Sequence, residues 1–175
     1  ATDSRIVYEG RWNQEDAKTM RTGKGASYLR VNFFGTCLAV KMDQDNSWWR
    51  VSIDGKEFKR FQPQGGKITL AKGLLPGKHE VVLIRDTEGD GSLSGVRGFK
   101  VFGTLQKPAP SETRRIEFIG DSVMAGAFAE GPGQYTEKES GALSFGPQLA
   151  KLLNADYSVI ATSGEGVVRN MGEKA

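Results

Sequence analysis

The chain has 175 residues, room for one ordinary domain or two small ones. Its 24 Lys and Arg against 21 Asp and Glu leave a net charge of +3 with no basic run, which argues against a nucleic-acid reader. The 38% of hydrophobic and 26% of charged residues suit a folded globular chain rather than a disordered one, and no apolar stretch approaches the roughly 20 residues of a bilayer span.

From the N-terminus, short apolar, β-branched or aromatic runs recur: Ile6–Tyr8, Tyr28–Phe34, Cys37–Met42, Trp48–Ile53, Ile68–Leu70, Val81–Ile84 and Val96–Phe102. Glycine-containing breaks separate many of them, at Gly35, Asp54-Gly55, Gly65-Gly66, Pro76-Gly77 and Gly89–Gly95. Short strands at this spacing predict an all-β sandwich or barrel. Asp54-Gly55 is a two-residue hairpin signal joining Trp48–Ile53 to Lys56–Phe58. Trp49, Val51 and Ile53 alternate with Trp48, Arg50 and Ser52, so one face of that strand is expected to pack and the other to meet solvent.

The pattern changes near residue 106. Gln106–Ser111, with Pro108 and Pro110, predicts a short stiff linker. Arg115–Ile119 then reads as a strand ending in Gly120-Asp121-Ser122, Ser144–Leu153 as a helix with Phe145, Leu149, Leu152 and Leu153 on one face, and Tyr157–Ala161 as a second strand. That is one βαβ unit with a parallel pair. Charge shifts at the same place: residues 1–105 carry 17 basic and 12 acidic side chains, and 106–175 carry 7 and 9. The expected division is a β-sandwich over 1–105, a linker over 106–113 and an α/β part over 114–175.

Ser122 is the sharpest candidate for chemistry, because ligand and catalytic groups of open α/β sheets lie at the carboxyl ends of parallel strands. Its hydroxyl can enter the crevice while its own N–H faces a developing oxyanion. The plain alternative is a turn in which Gly120 permits the bend and Asp121 caps the residues after it. Ser163-Gly164-Glu165-Gly166 comes after the second strand, and its glycines let backbone approach a ligand closely; alone it is an ordinary glycine turn.

Together these segments resemble the SGNH, or GDS(L), hydrolase superfamily, whose first block is a strand followed by Gly-Asp-Ser. The resemblance implies that Ser122 is the nucleophile and that a glycine after the next strand lends its N–H to the oxyanion hole. Counting from Val159-Ile160 puts that role on Gly166, with Gly164 one frame away. Arg115–Ser122 and Ser163-Gly164-x-Gly166-Val167-x-Arg169-Asn170 further resemble carbohydrate esterase family 2, which places a jelly-roll sandwich before its hydrolase domain. Val51–Gly55, Leu74-x-x-Gly77-x-His79 and Arg85-x-Thr87-Glu88 match that sandwich, so the likeness covers nearly the whole chain. Gly126-Ala127-Phe128 departs from the Gly-Tyr-Gly of relatives at the acyl-pocket rim.

The resemblance implies an O-acetyl esterase acting on acetylated polysaccharide or oligosaccharide, secreted or periplasmic, with no cofactor. Ala1-Thr2-Asp3, without a signal peptide, fits a processed or trimmed start. The third block's Asn and the last block's Asp-x-x-His cannot be placed here, which implies a missing hydrolase segment and an inactive isolated chain. His79 is the only histidine, at a strand start, and is expected to be a packed, hydrogen-bonded residue rather than the base.

The other class of function is non-catalytic carbohydrate binding through the sandwich. Trp12, Trp48 and Trp49 offer indole faces for sugar rings, although one of the adjacent pair must face the core. Asp86-x-Glu88-x-Asp90-Gly91 starts like a calcium loop, but Arg97 stands where a bidentate Glu is required, so a solvated hairpin loop is expected. Cys37 is the only cysteine, which excludes a disulfide scaffold, and it is expected to be an inert buried thiol.

Overall fold

The computed structural model describes residues 1–56, 58–88 and 92–173. Nine strands form one continuous antiparallel network: β1 (Ile6–Glu9), β2 (Asn13–Asp16), β3 (Thr19–Thr22), β4 (Tyr28–Gln44), β5 (Trp49–Ile53), β6 (Lys59–Phe61), β7 (Gln64–Ala71), β8 (Gly77–Arg85) and β9 (Ser94–Gln106). The 17-residue β4 joins two leaves. Its first half is flanked by β1 and β8, and its second half by β9 and β7. One leaf therefore runs β1-β4-β8-β5-β6 and the other β2-β3-β9-β4-β7.

Two apolar runs, expected as separate strands either side of Gly35, are thus one strand with a fault in it. The register against β9 shifts between Gly35 and Cys37. Before the shift the odd residues Leu29, Val31 and Phe33 are buried, and after it the even residues Leu38, Val40 and Met42. A strand alternates faces with period two, so one extra residue lets both halves point at the same core. Trp49, Val51, Val81, Leu83 and Val96 complete that core. Gly35 also brings Cys37 out of the expected burial. It is half-buried, beside a shallow cleft.

Three details of the sandwich differ from the sequence reading. The hairpin β2–β3 was not expected: Asn13–Asp16 is fully exposed and polar, and as an edge strand it carries no apolar signal. Asp54 and Gly55 do form the turn, both with positive φ (55° and 68°); residue 57 of the expected Lys56–Phe58 strand lies outside the described residues, and the described β6 begins at Lys59, paired with Val51. The face of β5 expected to meet solvent is also covered, with Arg50 8% and Ser52 6% exposed. Arg50 reaches Asp86 and Glu130 there, so an ion-paired contact with the C-terminal region replaces water.

Residues 107–114 carry no regular structure. Pro108 is buried, Ser111 donates to Glu9 Oε1 at 2.7 Å and the Glu112 N–H donates to Asp156, so this segment lies against its surroundings. Beyond it β10 (Arg115–Gly120) and β11 (Asp156–Ala161) pair in parallel, from Arg115↔Asp156 to Gly120↔Ala161. Between them come α1 (Ser122–Ala125), α2 (Tyr135–Lys138), a 3-10 turn at Gly141–Leu143 and α3 (Phe145–Leu152). The α3 helix packs against the parallel pair through Ala150 and, of the expected apolar stripe, through Leu149, with Phe145 touching Phe118 edge-on. Phe145 and Leu152 of that stripe are 61% and 80% exposed, because the two-stranded sheet is too narrow to cover them. Among the described residues no helix is long and apolar enough to cross a membrane.

Candidate active site

Gly120 ends β10 and Asp121 caps α1, its Oδ1 accepting from the Val123 N–H at 3.0 Å. Ser122 is the first residue of α1 and is half-buried. Its carbonyl accepts from the Ala127 N–H at 2.8 Å, while its hydroxyl makes no hydrogen bond among the described residues. The parallel register sets Gly120 beside Ala161, so Thr162–Gly166 leaves β11 at the same end of the sheet. A cleft of about 370 Å³ lies there, lined by Ile119, Gly120, Asp121, Glu165, Gly166 and Val167. The two segments singled out in the sequence therefore share one cleft; Ser122, the residue after Asp121, is not among those that line it.

Within the second segment, Gly164 has φ +84°, and its carbonyl accepts from the Met171 N–H at 2.7 Å. Gly166 donates its N–H to Asn170 Oδ1 at 3.1 Å. A side chain at Gly166 would run into the Arg169 carbonyl, so this bend admits glycine alone. The Gly164 N–H makes no hydrogen bond among the described residues.

Several side chains that the sequence reading did not assign to the site converge on Thr162 and Ser163. Lys24 Nζ donates to Thr162 Oγ1 at 2.7 Å. The Ser163 N–H donates to Glu88 Oε2 at 2.9 Å, and Tyr135 Oη donates to Glu88 Oε1 at 3.2 Å. Tyr135 Oη and Ser163 Oγ also share a hydrogen bond. Burial pushes the Tyr135 phenol up to about 12, so it stays a donor at neutral pH. Glu88 carried a signal as part of Arg85-x-Thr87-Glu88 and of the calcium-loop pattern, neither of which pointed to this site; Lys24 and Tyr135 carried none, since neither belongs to a motif.

Beneath this lies a buried acid. Glu139 is 1% exposed and accepts the Glu88 N–H. Burial raises its carboxyl to about 7, against the lowering effect of that N–H. Beside it Asp86 is fully buried and accepts from Arg50 Nε and Arg60 Nε, both at 2.8 Å, and from Ser140 Oγ at 2.6 Å. Gly141 donates its N–H to the Asp86 carbonyl, and a Cβ there would lie 2.7 Å from the Ala26 nitrogen, so only glycine lets the two backbones approach this closely.

His79 sits on β8 with its ring against Phe33. Its Nδ1 meets Asp54 Oδ2 at 2.8 Å and its Nε2 meets the Leu75 carbonyl at 2.9 Å. Both nitrogens face acceptors, so the charged ring is favoured and its pKa is raised, chiefly by Asp54. A ring held at both ends has no free lone pair to take a proton from a serine, in keeping with the structural role expected of it. Of the tryptophans, Trp49 is core, while Trp48 is half-buried with the Arg60 guanidinium 4.7 Å over its ring. A larger cleft, about 430 Å³, lies at the opposite end of the parallel pair among Glu9, Arg11, Arg115 and Glu117, away from Ser122. Among the described residues no three His, Cys, Asp or Glu side chains converge as a metal site would need. Asp90 and Gly91 of the calcium-loop pattern lie outside the described residues.

Comparison with known proteins bears on this geometry. Residues 8–110 match the family model for the N-terminal part of carbohydrate esterase 2. An acetylxylan esterase / glucomannan deacetylase of Cellvibrio japonicus is 34% identical over 83% of this chain, and a cellulase/esterase of Acetivibrio thermocellus is 34% identical over 95% of it. The chain spans only 42% and 22% of those two relatives. A family two carbohydrate esterase from Clostridium thermocellum, solved in complex with cellohexaose, superposes with a TM-score of 0.89 at 29% identity, over 95% of this chain and 54% of that one. One from Cellvibrio japonicus gives 0.90 at 26%, over 97% of this chain and 53% of that one. The solved relatives thus track this chain through the sandwich and onward past Ser122, and the protein belongs to carbohydrate esterase family 2.

Proposed function

We propose that these residues form the sandwich (1–105), the connecting segment (106–113) and the nucleophile-bearing part (114–175) of an SGNH-type serine esterase that removes acetyl groups from polysaccharide. The observation that supports this reading is the shared cleft: Gly120-Asp121, directly before Ser122 in the chain, and Glu165-Gly166 meet at the carboxyl ends of two parallel strands. Ser122 Oγ attacks the acetyl carbonyl. The N–H groups of Ser122 and Gly166 receive the charge that develops on its oxygen. For Gly166 to donate, the Asn170 amide must first turn away. The Gly164 N–H, without a hydrogen bond among the described residues, is the substitute donor. A histidine outside these residues takes the hydroxyl proton and returns it to the sugar oxygen as that bond breaks.

The names of the relatives, an acetylxylan esterase / glucomannan deacetylase and a cellulase/esterase, support an acetylated polysaccharide such as xylan or glucomannan as the substrate; a secreted or periplasmic site of action is part of the same proposal. In a longer protein carrying the downstream blocks, Ser122→Ala should lower turnover on acetylated xylan or glucomannan by about 10⁶-fold while polysaccharide binding changes little. Retained turnover would remove Ser122 from the mechanism. The isolated 175-residue chain should not hydrolyse p-nitrophenyl acetate above background, since a serine without its base is a weak nucleophile.

A second reading, non-catalytic sugar binding, has its own observation. Trp48 lines a cleft of about 340 Å³ together with Asn46, Gln62, Thr87, Thr136 and Glu137, an aromatic face among hydrogen-bonding side chains. Trp48→Ala weakening retention on a polysaccharide while Ser122→Ala leaves it intact would favour this reading for the sandwich.

A further inference from the structure

The second-block segment is attached to the sandwich by side chains that do not themselves reach the cleft. We propose that Glu88 is a positioning residue for the oxyanion donors, fixing Thr162–Gly166 against β10 with help from Lys24 and Tyr135; the inference rests on the esterase reading above. Three features of the geometry point this way. Glu88 uses both carboxylate oxygens, one for the Ser163 N–H and one for Tyr135 Oη. Lys24 holds the neighbouring residue, Thr162, at 2.7 Å. Among the described residues the hydrogen bonds beyond Ser163 are local, Glu165 to Thr162, Gly164 to Met171, Gly166 to Asn170 and Asn170 to Glu173, and residues 165–169 are exposed.

Ser163 is therefore the last point at which the sandwich grips the chain before Gly164 and Gly166. A hydrogen bond from an N–H to a carboxylate is about twice as strong as one between neutral groups. An oxyanion hole works only when its donors are already in place, and a displacement of about 1 Å can cost on the order of 10²-fold in rate. Glu88 acts through Ser163 and does not touch the ester. The predicted consequence is an effect on the transition state that ground-state binding does not share. A sandwich that merely docked against its neighbour would instead move stability and KM together.

The test uses the longer protein with p-nitrophenyl acetate and acetylated glucomannan as substrates. Glu88→Ala should lower kcat about 10- to 100-fold with KM within about 2-fold of the parent. Glu88→Gln keeps a carbonyl oxygen for the Ser163 N–H and should recover most of that loss. Tyr135→Phe, which removes the hydroxyl bonded to Glu88 and Ser163, should lower kcat about 3- to 10-fold. It decides the matter if Glu88→Ala does not fold. Parent-like kcat in Glu88→Ala, or misfolding of Glu88→Ala together with parent-like kcat in Tyr135→Phe, would overturn the proposal. Equal losses in Glu88→Ala and Glu88→Gln, or a loss confined to KM, would also overturn it. Ser122→Ala run beside them separates the two levels. Activity surviving in Ser122→Ala breaks the esterase reading, whereas an inactive Ser122→Ala beside a fully active Glu88→Ala breaks only the positioning role.

Discussion

The sandwich and the parallel-strand region solve the same problem with very different means. The sandwich buries large side chains from two leaves, Trp49, Phe33, Leu29, Leu38 and Met42 among them, each at 1% exposure or less. The core of the parallel region is Phe118 and Val159 with three small alanines, Ala125, Ala150 and Ala161, and Ala26 lent by the sandwich. Its larger apolar residues face outward: Ile119 and Val123 at 73%, Phe145 at 61%, Leu152 at 80%. At roughly 25 cal/mol per Å² of apolar area, a core this small contributes little. The parallel region therefore depends on its neighbour. In this structure that is the sandwich, through a polar contact centred on Asp86.

The largest effect should come from breaking that contact. Asp86→Ala would leave Arg50 and Arg60 facing each other without their shared carboxylate, at a cost of about 3–5 kcal/mol. Limited proteolysis should already cut the parent first beyond residue 106, leaving a resistant fragment near residue 105. In Asp86→Ala that cut should come much faster while the fragment persists. Equal protection of both regions in a monomeric parent would break the comparison.

A mid-sized effect should come from pH. The Glu139 carboxyl is raised to about 7 in the fold, above the 4.5 of an unperturbed glutamate. The folded state therefore holds its proton more tightly than the unfolded state, so stability falls as pH rises from about 4.5 through about 7. Proteolytic cutting of the parallel region should accelerate over that range, and Glu139→Gln should flatten the dependence. A pH-independent rate in the parent would count against a protonated Glu139 at the contact.

The smallest effect belongs to the sandwich itself. His79 is raised above 6.5 by Asp54, so its ion pair is fully present below that value and fades as pH rises through the folded pKa. His79→Gln should lower the sandwich melting temperature slightly at about pH 5.5, by less than about 1 kcal/mol for a screened pair, and not at about pH 9. Esterase activity of a longer protein should be unaffected, since both ring nitrogens are occupied away from Ser122. Loss of turnover in His79→Gln with stability unchanged would reopen the question of the base.

Much of this was legible in the chain. Short apolar, β-branched or aromatic runs mark β1, β4, β5, β7, β8 and β9, and in β5 they alternate with period two, because a strand that buries a face must carry apolar side chains on it. Gly120-Asp121-Ser122 after Arg115–Ile119 was readable as a strand end, and its cap is present. The exposed β2–β3 hairpin was not, because its stability lies in backbone pairing that leaves no hydrophobic pattern. Nor did helical spacing reveal which face of α3 is buried. Leu149 of the expected stripe packs into the core, but Phe145 and Leu152 are exposed, because this sheet offers only two strands to receive them.

Local features are written in the amino-acid order alone: where most strands and turns fall, which positions carry the Gly-Asp-Ser motif, and membership in a family whose motifs stand in continuous stretches. Long-range pairings come only with the folded chain. Asp86 meets Arg50, Arg60 and Ser140 from three separate parts of the chain, and Glu88 meets Tyr135 and Ser163 from two. No spacing rule connects such residues, because a charged side chain looks the same in sequence whether it ends in water or in a buried pair. Desolvation and a partner's position separate the two cases, and both are properties of the tertiary arrangement.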